Sequence, residues 1–301
     1  MTAIIRVPFN RPLCLGREQA AVADALAAGE LSTGGVYSRF CEEWLYKKTG
    51  AVGSFLTASC TQALELSAIL AGILPGDEVI MPSWTFPSTA NAFVLRGATP
   101  VFIDIHPDTC NIDTSLIEAA ITPKTRAIVP VHYAGVSCDM DAIMSIAEQY
   151  GLWVIEDAAQ ALMCFYRGEA LGSLGHLGAY SFHATKNYTS GGEGGALLVN
   201  REELVEPARV LREMGTNRDA FLLGKVSRYE WIGLGSSGLL SELQSAALSV
   251  QFRAADEVND RRLGIWTRYY QELASSCEIA GLRLPVIPEF ACHNAHMFYL
   301  R

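Results

Sequence analysis

Lys186 stands between a strand-like run, residues 179–183, and the glycine cluster Gly191-Gly-Glu-Gly-Gly195. A lysine there can attack a carbonyl as an amine nucleophile, or simply extend from a surface loop into water. Asp157 lies in Ile155-Glu-Asp-Ala-Ala-Gln160, just past an apolar run. Open α/β sheets gather ligand groups at such strand ends, although a helix cap also uses aspartate there. Thr57-Ala-Ser-Cys-Thr61 puts small hydroxyl residues ahead of a helical pattern. They can cap that helix or leave its first N–H groups to an anion. Pro82-Ser-Trp-Thr-Phe-Pro-Ser-Thr89 sets Trp84 and Phe86 after another strand, where an aromatic ring stacks on a flat ligand or fills the core. The glycine cluster does not fit G-x-x-x-x-G-K-[ST], so it is a poor match to a nucleotide P-loop.

These four pieces fit one chemistry. Pyridoxal phosphate (PLP) needs an amine for a Schiff base, a carboxylate for its pyridine nitrogen, an anion site for its phosphate and a plane against its ring. The sequence holds one candidate for each. The carboxylate keeps the ring nitrogen protonated, so the ring accepts electrons, and the released lysine moves the proton as base and acid.

The elements that must position these residues alternate. Gly53-Ser-Phe-Leu-Thr57, Glu78-Val-Ile-Met81, Pro100-Val-Phe-Ile-Asp104, Ala127-Ile-Val-Pro-Val131 and Leu152-Trp-Val-Ile155 read as strands. Helical periodicity covers residues 61–74 and 139–150, and Ser115-x-x-Glu118 forms a capping-box pattern for a helix closed before Pro123. The alternation predicts an α/β fold with a mostly parallel sheet flanked by helices. Residues 1–240 are expected to form one large domain. Residues 241–275 read as one long helix or two, and residues 295–301 as a strand. Residues 241–301 are thus expected to begin a smaller domain, on which the N-terminal segment packs and inside which the chain stops.

With 301 residues, half of them apolar and 18 % charged, the chain can bury a large core. A net charge of −9 without a Lys/Arg run argues against nucleic-acid binding. No apolar run reaches the roughly 20 residues that span a bilayer, and Met1-Thr-Ala-Ile-Ile-Arg6 is not a signal-peptide start, so a cytoplasmic protein is expected. The eight cysteines form no C-x-x-C pair and read as reduced thiols.

The ordered segments Thr57-Ala-Ser-Cys-Thr61, Pro82-Ser-Trp-Thr-Phe86, Glu156-Asp-Ala-Ala-Gln160, Ser181-Phe-His-Ala-Thr-Lys186 and Gly191-Gly-Glu-Gly-Gly195 resemble the DegT/DnrJ/EryC1/StrS sugar aminotransferases along essentially the whole chain. The resemblance implies a fold-type I PLP-dependent transferase with an incomplete C-terminal small domain, and Lys186 as its Schiff-base residue. It implies that Asp157 pairs with the pyridine nitrogen and that Gln160 lies near the ring hydroxyl. Phe86 would stack on the ring, with Trp84 as the alternative. Thr61, the backbone of Gln62 and the Ser181 hydroxyl would hold the phosphate. Where many relatives carry G-Y-N-Y-R, whose Asn reaches the partner subunit's cofactor, this chain has Gly235-Ser-Ser-Gly-Leu239, with Ser237 in place of Asn. The resemblance further implies a homodimer with shared sites, L-glutamate as amino donor and a nucleotide-linked 4-keto sugar as acceptor. Arg218 is a candidate for the diphosphate, while His132 and His183 read as local hydrogen-bonding residues. Ser88-Thr-Ala-Asn-Ala-Phe-Val-Leu-Arg-Gly97, Val129-Pro-Val-His-Tyr-Ala-Gly135, Gly215-Thr-Asn-Arg218 and Asn294-Ala-His-Met-Phe-Tyr299 resemble the branch acting on 4-keto-6-deoxy sugars. Three alternatives stay open: another sugar aminotransferase, a dehydratase of the same family, and a non-catalytic remnant of the fold. The dehydratases carry His in place of the lysine, so Lys186 argues against that one.

Overall fold

The computed structural model describes residue 8 and residues 10–301. Most of the N-terminal segment expected to pack on the C-terminal region lies outside the described residues. Helices α1 (Glu18–Ala28) and α2 (Val36–Thr49) lead into strand β1 (Gly53–Thr57), helix α3 (Cys60–Leu70), β2 (Glu78–Pro82), α4 (Pro87–Val94) and β3 (Thr99–Ile103). Then come α5 (Ile117–Ala120), β4 (Thr125–Ile128), α6 (Met140–Tyr150), β5 (Trp153–Asp157), β6 (Phe165–Tyr166) and β7 (Glu169–Ala170). The chain continues through β8 (Leu177–Ser181), β9 (Gly195–Val199), α7 (Val205–Arg212), α8 (Arg218–Leu222), α9 (Glu242–Arg253), α10 (Ala255–Ala280) and β10 (Ala291–Cys292).

Seven strands form one sheet in the order β1-β9-β8-β5-β4-β2-β3. All pairs are parallel except those made by β9, which runs against both neighbours. Side chains alternate between faces along a strand, and here both faces are buried. Leu56, Ile80, Ile128, Val154, Tyr180 and Leu198 join one apolar core. Their sequence neighbours Phe55, Val79, Ala127, Ile155, Ala179 and Leu197 join the other. Burial on two sides explains why the strands read as continuous apolar runs rather than alternating ones. Strands β10, β6 and β7 make a separate small sheet. Among the described residues, no helix is long and apolar enough to cross a membrane.

Three expectations need correction, and one open alternative is decided. Helix α3 stops four residues short of Leu74, because Gly72 turns left-handed at φ 67° and its N–H folds back to the Ile69 carbonyl. Ser115 is not the cap of the following helix. Asp113 accepts both the Ser115 N–H (3.0 Å) and its hydroxyl (2.6 Å), so the first turn is a tight 3₁₀ turn ahead of α5. The long helical stretch is two helices, parted at Ala254, and α10 runs through Gly264 to Ala280, where Gly281 (φ 67°) ends it. Residues 295–301 form no strand. Side chains meet the carbonyls at the start of this segment: Arg262 takes those of Ala295 and His296, and Asn187 takes that of the preceding Asn294. Only the last residue pairs like a strand, with Arg283 and Arg301 exchanging N–H···O bonds at 2.8 and 3.1 Å.

Candidate active site

A cavity of about 670 Å³ opens at the C-terminal ends of β2, β4, β5 and β8. Lys186, Asp157, Gln160, Ser181, Thr61, Phe86 and Trp84 all line it. A larger open depression, about 820 Å³, lies beside α6 and the start of β5, and none of these residues reaches it. Open α/β sheets place ligands at the strand ends, which agrees with the smaller, better furnished cavity.

Lys186 is half-buried in the loop that leaves β8. The glycine cluster lies against this loop. The Ala184 N–H reaches the Gly192 carbonyl and the Phe182 N–H reaches that of Gly194, both at 2.8 Å. Gly191 takes φ 88°, a left-handed conformation that costs a glycine nothing. The cluster therefore shapes the lysine loop rather than cradling a nucleotide.

Asp157 ends β5 and is only 5 % exposed. Its Oδ2 accepts the Thr89 hydroxyl at 2.6 Å, and its Oδ1 accepts the Ala159 N–H at 3.1 Å. Thr85 lies 2.7 Å from Thr89, whose proton is already given to Asp157, so Thr85 is the donor of that pair. A chain of hydroxyls thus runs from the cavity wall, where Thr85 lies, to the carboxylate.

Beneath Asp157, the fully buried Glu156 accepts N–H groups of Gly172 (2.7 Å), Leu174 (2.8 Å) and Gly175 (2.6 Å). It also binds His132 Nε2 at 2.8 Å. Burial works against the His132 imidazolium, but Cys138 and Glu156 outweigh it and push the pKa up to about 10. Yet the Cys138 backbone N–H points at Nδ1 (3.2 Å). An Nδ1 that accepts leaves the ring neutral, with its Nε2 proton given to Glu156.

The first turn of α3 forms another wall. Ser59 caps the helix by accepting the Gln62 N–H at 3.1 Å. The Gln62 N–H, expected to meet a phosphate, is thus engaged by Ser59, and Gln62 does not line the cavity. Its side chain instead donates to the Ser237 carbonyl at 2.9 Å. The N–H groups of Cys60 and Thr61 have no acceptor among the described residues, and the Thr61 hydroxyl donates to Ser88 at 2.7 Å. Ser181 lies at the end of β8, across the cavity.

Phe86 is 73 % exposed on the cavity wall, with an open ring face, whereas Trp84 is held edge-on to Tyr133 at 5.8 Å. Gln160 has its carbonyl oxygen fixed by the Ala134 N–H (2.6 Å), leaving its NH₂ end as the donor. His183 accepts the Thr185 N–H on Nδ1 (3.2 Å) and sets Nε2 3.4 Å from Glu193 at the cavity rim. Ser237 and Arg218 are not brought to this cavity. Ser237 is exposed, and Arg218 faces the buried Glu213 at 3.8 Å. Thr85, Thr89, Glu193 and Met297 belong to the site or its support but were not singled out in the sequence. For Thr89 the signal was there, four residues after Thr85 at the start of a helix with Pro87 in its first turn.

Residues 14–301 match the sequence model of the DegT/DnrJ/EryC1/StrS aminotransferases. The spore coat polysaccharide biosynthesis protein SpsC of Bacillus subtilis is 39 % identical over 298 residues, 98 % of this chain and 75 % of that protein. The crystal structure of DesV from S. venezuelae, in complex with a ketimine intermediate, superposes with a TM-score of 0.86 at 35 % identity, over 95 % of this chain and 73 % of DesV. The PLP form of the putative sugar aminotransferase Spr1654 from Streptococcus pneumoniae gives a TM-score of 0.89 at 28 % identity, over 99 % of this chain and 78 % of that one. With the match running nearly end to end, this chain belongs to the DegT/DnrJ/EryC1/StrS aminotransferase family.

Proposed function

We propose that this chain, a sugar aminotransferase by family, uses PLP to move an amino group from L-glutamate to C4 of a nucleotide-linked 4-keto-6-deoxy sugar. The acceptor in this reading is dTDP-4-dehydro-6-deoxy-D-glucose and the product dTDP-4-amino-4,6-dideoxy-D-galactose. That is the reaction of dTDP-4-amino-4,6-dideoxygalactose transaminase in enterobacterial common antigen synthesis, whose sequence the segments around residues 88–97, 129–135, 215–218 and 294–299 resemble. The observation that carries the reading is the convergence of Lys186, Asp157, Thr61, Ser181, Gln160 and Phe86 on one cavity.

The residues present fit the cofactor. A buried carboxylate with both oxygens already engaged suits a cationic ring nitrogen. The free N–H groups of Cys60 and Thr61 at the start of an 11-residue helix, with the Ser181 hydroxyl, suit a phosphate. An open Phe86 face suits a flat ring. When bound, PLP supplies an electron sink for the carbon that loses its proton. Lys186 Nζ takes that proton from the α-carbon of the donor and returns one to the sugar carbon. Asp157 would hold the ring nitrogen proton in place, and the NH₂ end of Gln160 would be the donor available to the ring oxygen.

The chain works as a cytoplasmic homodimer in this reading. Phe221, Leu222, Leu223, Tyr229, Trp231 and Leu234 are exposed on one stretch beside Ser237, and Trp231 is 80 % exposed. Apolar exposure on this scale marks an interface. Ser237 and Arg218 would act across it.

The test is spectroscopic. The purified chain should develop the visible band of lysine-bound PLP, lose it on adding glutamate and regain it with the dTDP-linked 4-keto sugar. Lys186→Ala should show no such band. If the wild type and Lys186→Ala behave alike, the chain is not a PLP aminotransferase. If only a different nucleotide sugar restores the band, the acceptor is misassigned.

A further inference from the structure

Asn294 is 1 % exposed and lies more than a hundred residues along the chain from Asn187 and Gln160, yet it touches three of the loops that build the cavity. Its Nδ2 donates to the carbonyls of Gln160 and Leu162, both at 2.8 Å. Its backbone carbonyl accepts Asn187 Nδ2 at 3.0 Å, and Asn187 is the neighbour of Lys186. Its Oδ1 lies so close to Gly135 that a Cβ there would overlap it. Gly135 follows Ala134, whose N–H fixes the Gln160 side chain.

The second amide of this set engages both its ends. Asn187 is 4 % exposed, and its Oδ1 lies 3.0 Å from His296 Nδ1. Because Oδ1 can only accept, His296 carries its proton on Nδ1. Burial, with Lys186 and Arg262 nearby, pushes the His296 pKa down to about 3, so the ring stays neutral and this tautomer persists. Arg262, from α10, holds the carbonyls of Ala295 and His296 at 2.9 and 2.8 Å. Ala295 itself is left-handed at φ 50°, which only an over-determined segment sustains. A narrow gap behind Lys186 is walled by Gln160, Ser181, Asn187, Asn294 and His296.

We propose that Asn294, Asn187 and His296 form a clasp that sets the Lys186 loop at a fixed spacing from the loop carrying Asp157 and Gln160. These are positioning residues, none of them assigned to the chemistry. The inference rests on the reading of Lys186 and Asp157 as PLP ligands, but the clasp exists without the cofactor. An amine and a carboxylate that grip opposite parts of one rigid ring must keep their separation, and hydrogen bonds from a third segment supply that constraint.

The experiment uses His296→Phe and Asn187→Ala, with His296→Asn as the conservative variant that keeps a donor. Both disruptive variants should weaken PLP binding about tenfold, as expected for one lost buried hydrogen bond. They should also shift the pH midpoint of the visible band, and His296→Asn should restore both. Asn294→Ser tests the centre of the clasp. In the PLP-free chain, amide hydrogen exchange at residues 160–162 and 186–188 should speed up in every disruptive variant. If exchange speeds up while PLP affinity and the band midpoint stay at wild-type values, the clasp is only structural and the proposal is overturned. If the wild type binds no PLP, the cofactor reading fails, and the exchange data alone then decide whether the clasp couples the two loops.

Discussion

The Thr89 hydroxyl, with no solvent exposure, donates to Asp157 Oδ2 at 2.6 Å, and Thr85 feeds the same hydroxyl from the cavity wall at 2.7 Å. The carboxylate is thereby oriented before any ligand arrives. A short bond from a buried neutral donor to an ion is among the stronger hydrogen bonds in a protein.

Thr89→Val keeps the shape and removes that donor. PLP affinity should fall roughly tenfold, the equivalent of one charge-assisted bond. Thr89→Ser should recover most of it. Titration of the visible band against PLP measures both. Equal affinities for Thr89→Val and the wild type would mean that the Ala159 N–H alone orients Asp157.

Glycines at two places should respond in opposite directions. A Cβ on Gly195 would overlap the backbone of Ser59 and Cys60, where β9 passes the first turn of α3. Backbone cannot yield as a side chain can, so Gly195→Ala should destabilise the fold by about 3 kcal/mol, and by moving that turn it should weaken phosphate binding too. Gly264 sits inside α10 with open space around it. Gly264→Ala should stabilise by about 0.5–1 kcal/mol. Urea unfolding of the two variants tests the contrast, and a Gly195→Ala protein as stable as the wild type would refute the close approach.

Glu156 binds four N–H donors from a fully buried position. Glu156→Gln would turn an NH₂ group toward at least one of them. The unmet buried donor should cost about 3 kcal/mol, read as a lower urea midpoint with an unchanged slope. A loss below about 0.5 kcal/mol, the scale of ordinary surface changes, would show that the loop around Gly172 readjusts freely.

Much of this site was legible in the sequence because local rules govern it. Asp157 follows an apolar strand, Ser59 and Thr61 open a helix, and Phe86 precedes a proline that starts one, so each position follows from its neighbours. The strands were legible too, since burial on both faces leaves unbroken apolar runs such as Ala127-Ile-Val. What could not be read depends on distant partners. Nothing near Gln62 says that its side chain reaches Ser237. Nothing in Asn294-Ala-His-Met says that its carbonyls will be met by Arg262 and Asn187 instead of a neighbouring strand. Short polar segments carry no period, and their conformation is set by whichever side chains the fold delivers.

Glu213 gives the clearest pH signature. It is 1 % exposed, and neither of its carboxylate oxygens has a hydrogen bond, although Arg218 and Arg212 stand 3.8 and 3.9 Å away. Burial, and then Asp219, raise its pKa from the ordinary 4.5 to about 7, against the pull of Arg212 and Arg218. The folded chain therefore holds this proton more tightly than the unfolded one. The resulting stabilisation is fully present below about 4.5 and is lost as the pH rises through about 7. Asp219 shifts the other way, below its ordinary value, so its contribution falls away only at much lower pH. Between pH 5.5 and 8 the wild type should lose about 2 kcal/mol through Glu213. Glu213→Gln, which cannot titrate, should lose far less, and the two urea midpoints should converge toward pH 5.5 and separate toward pH 8. Parallel curves across that window would show that the guanidinium groups keep Glu213 ionised throughout.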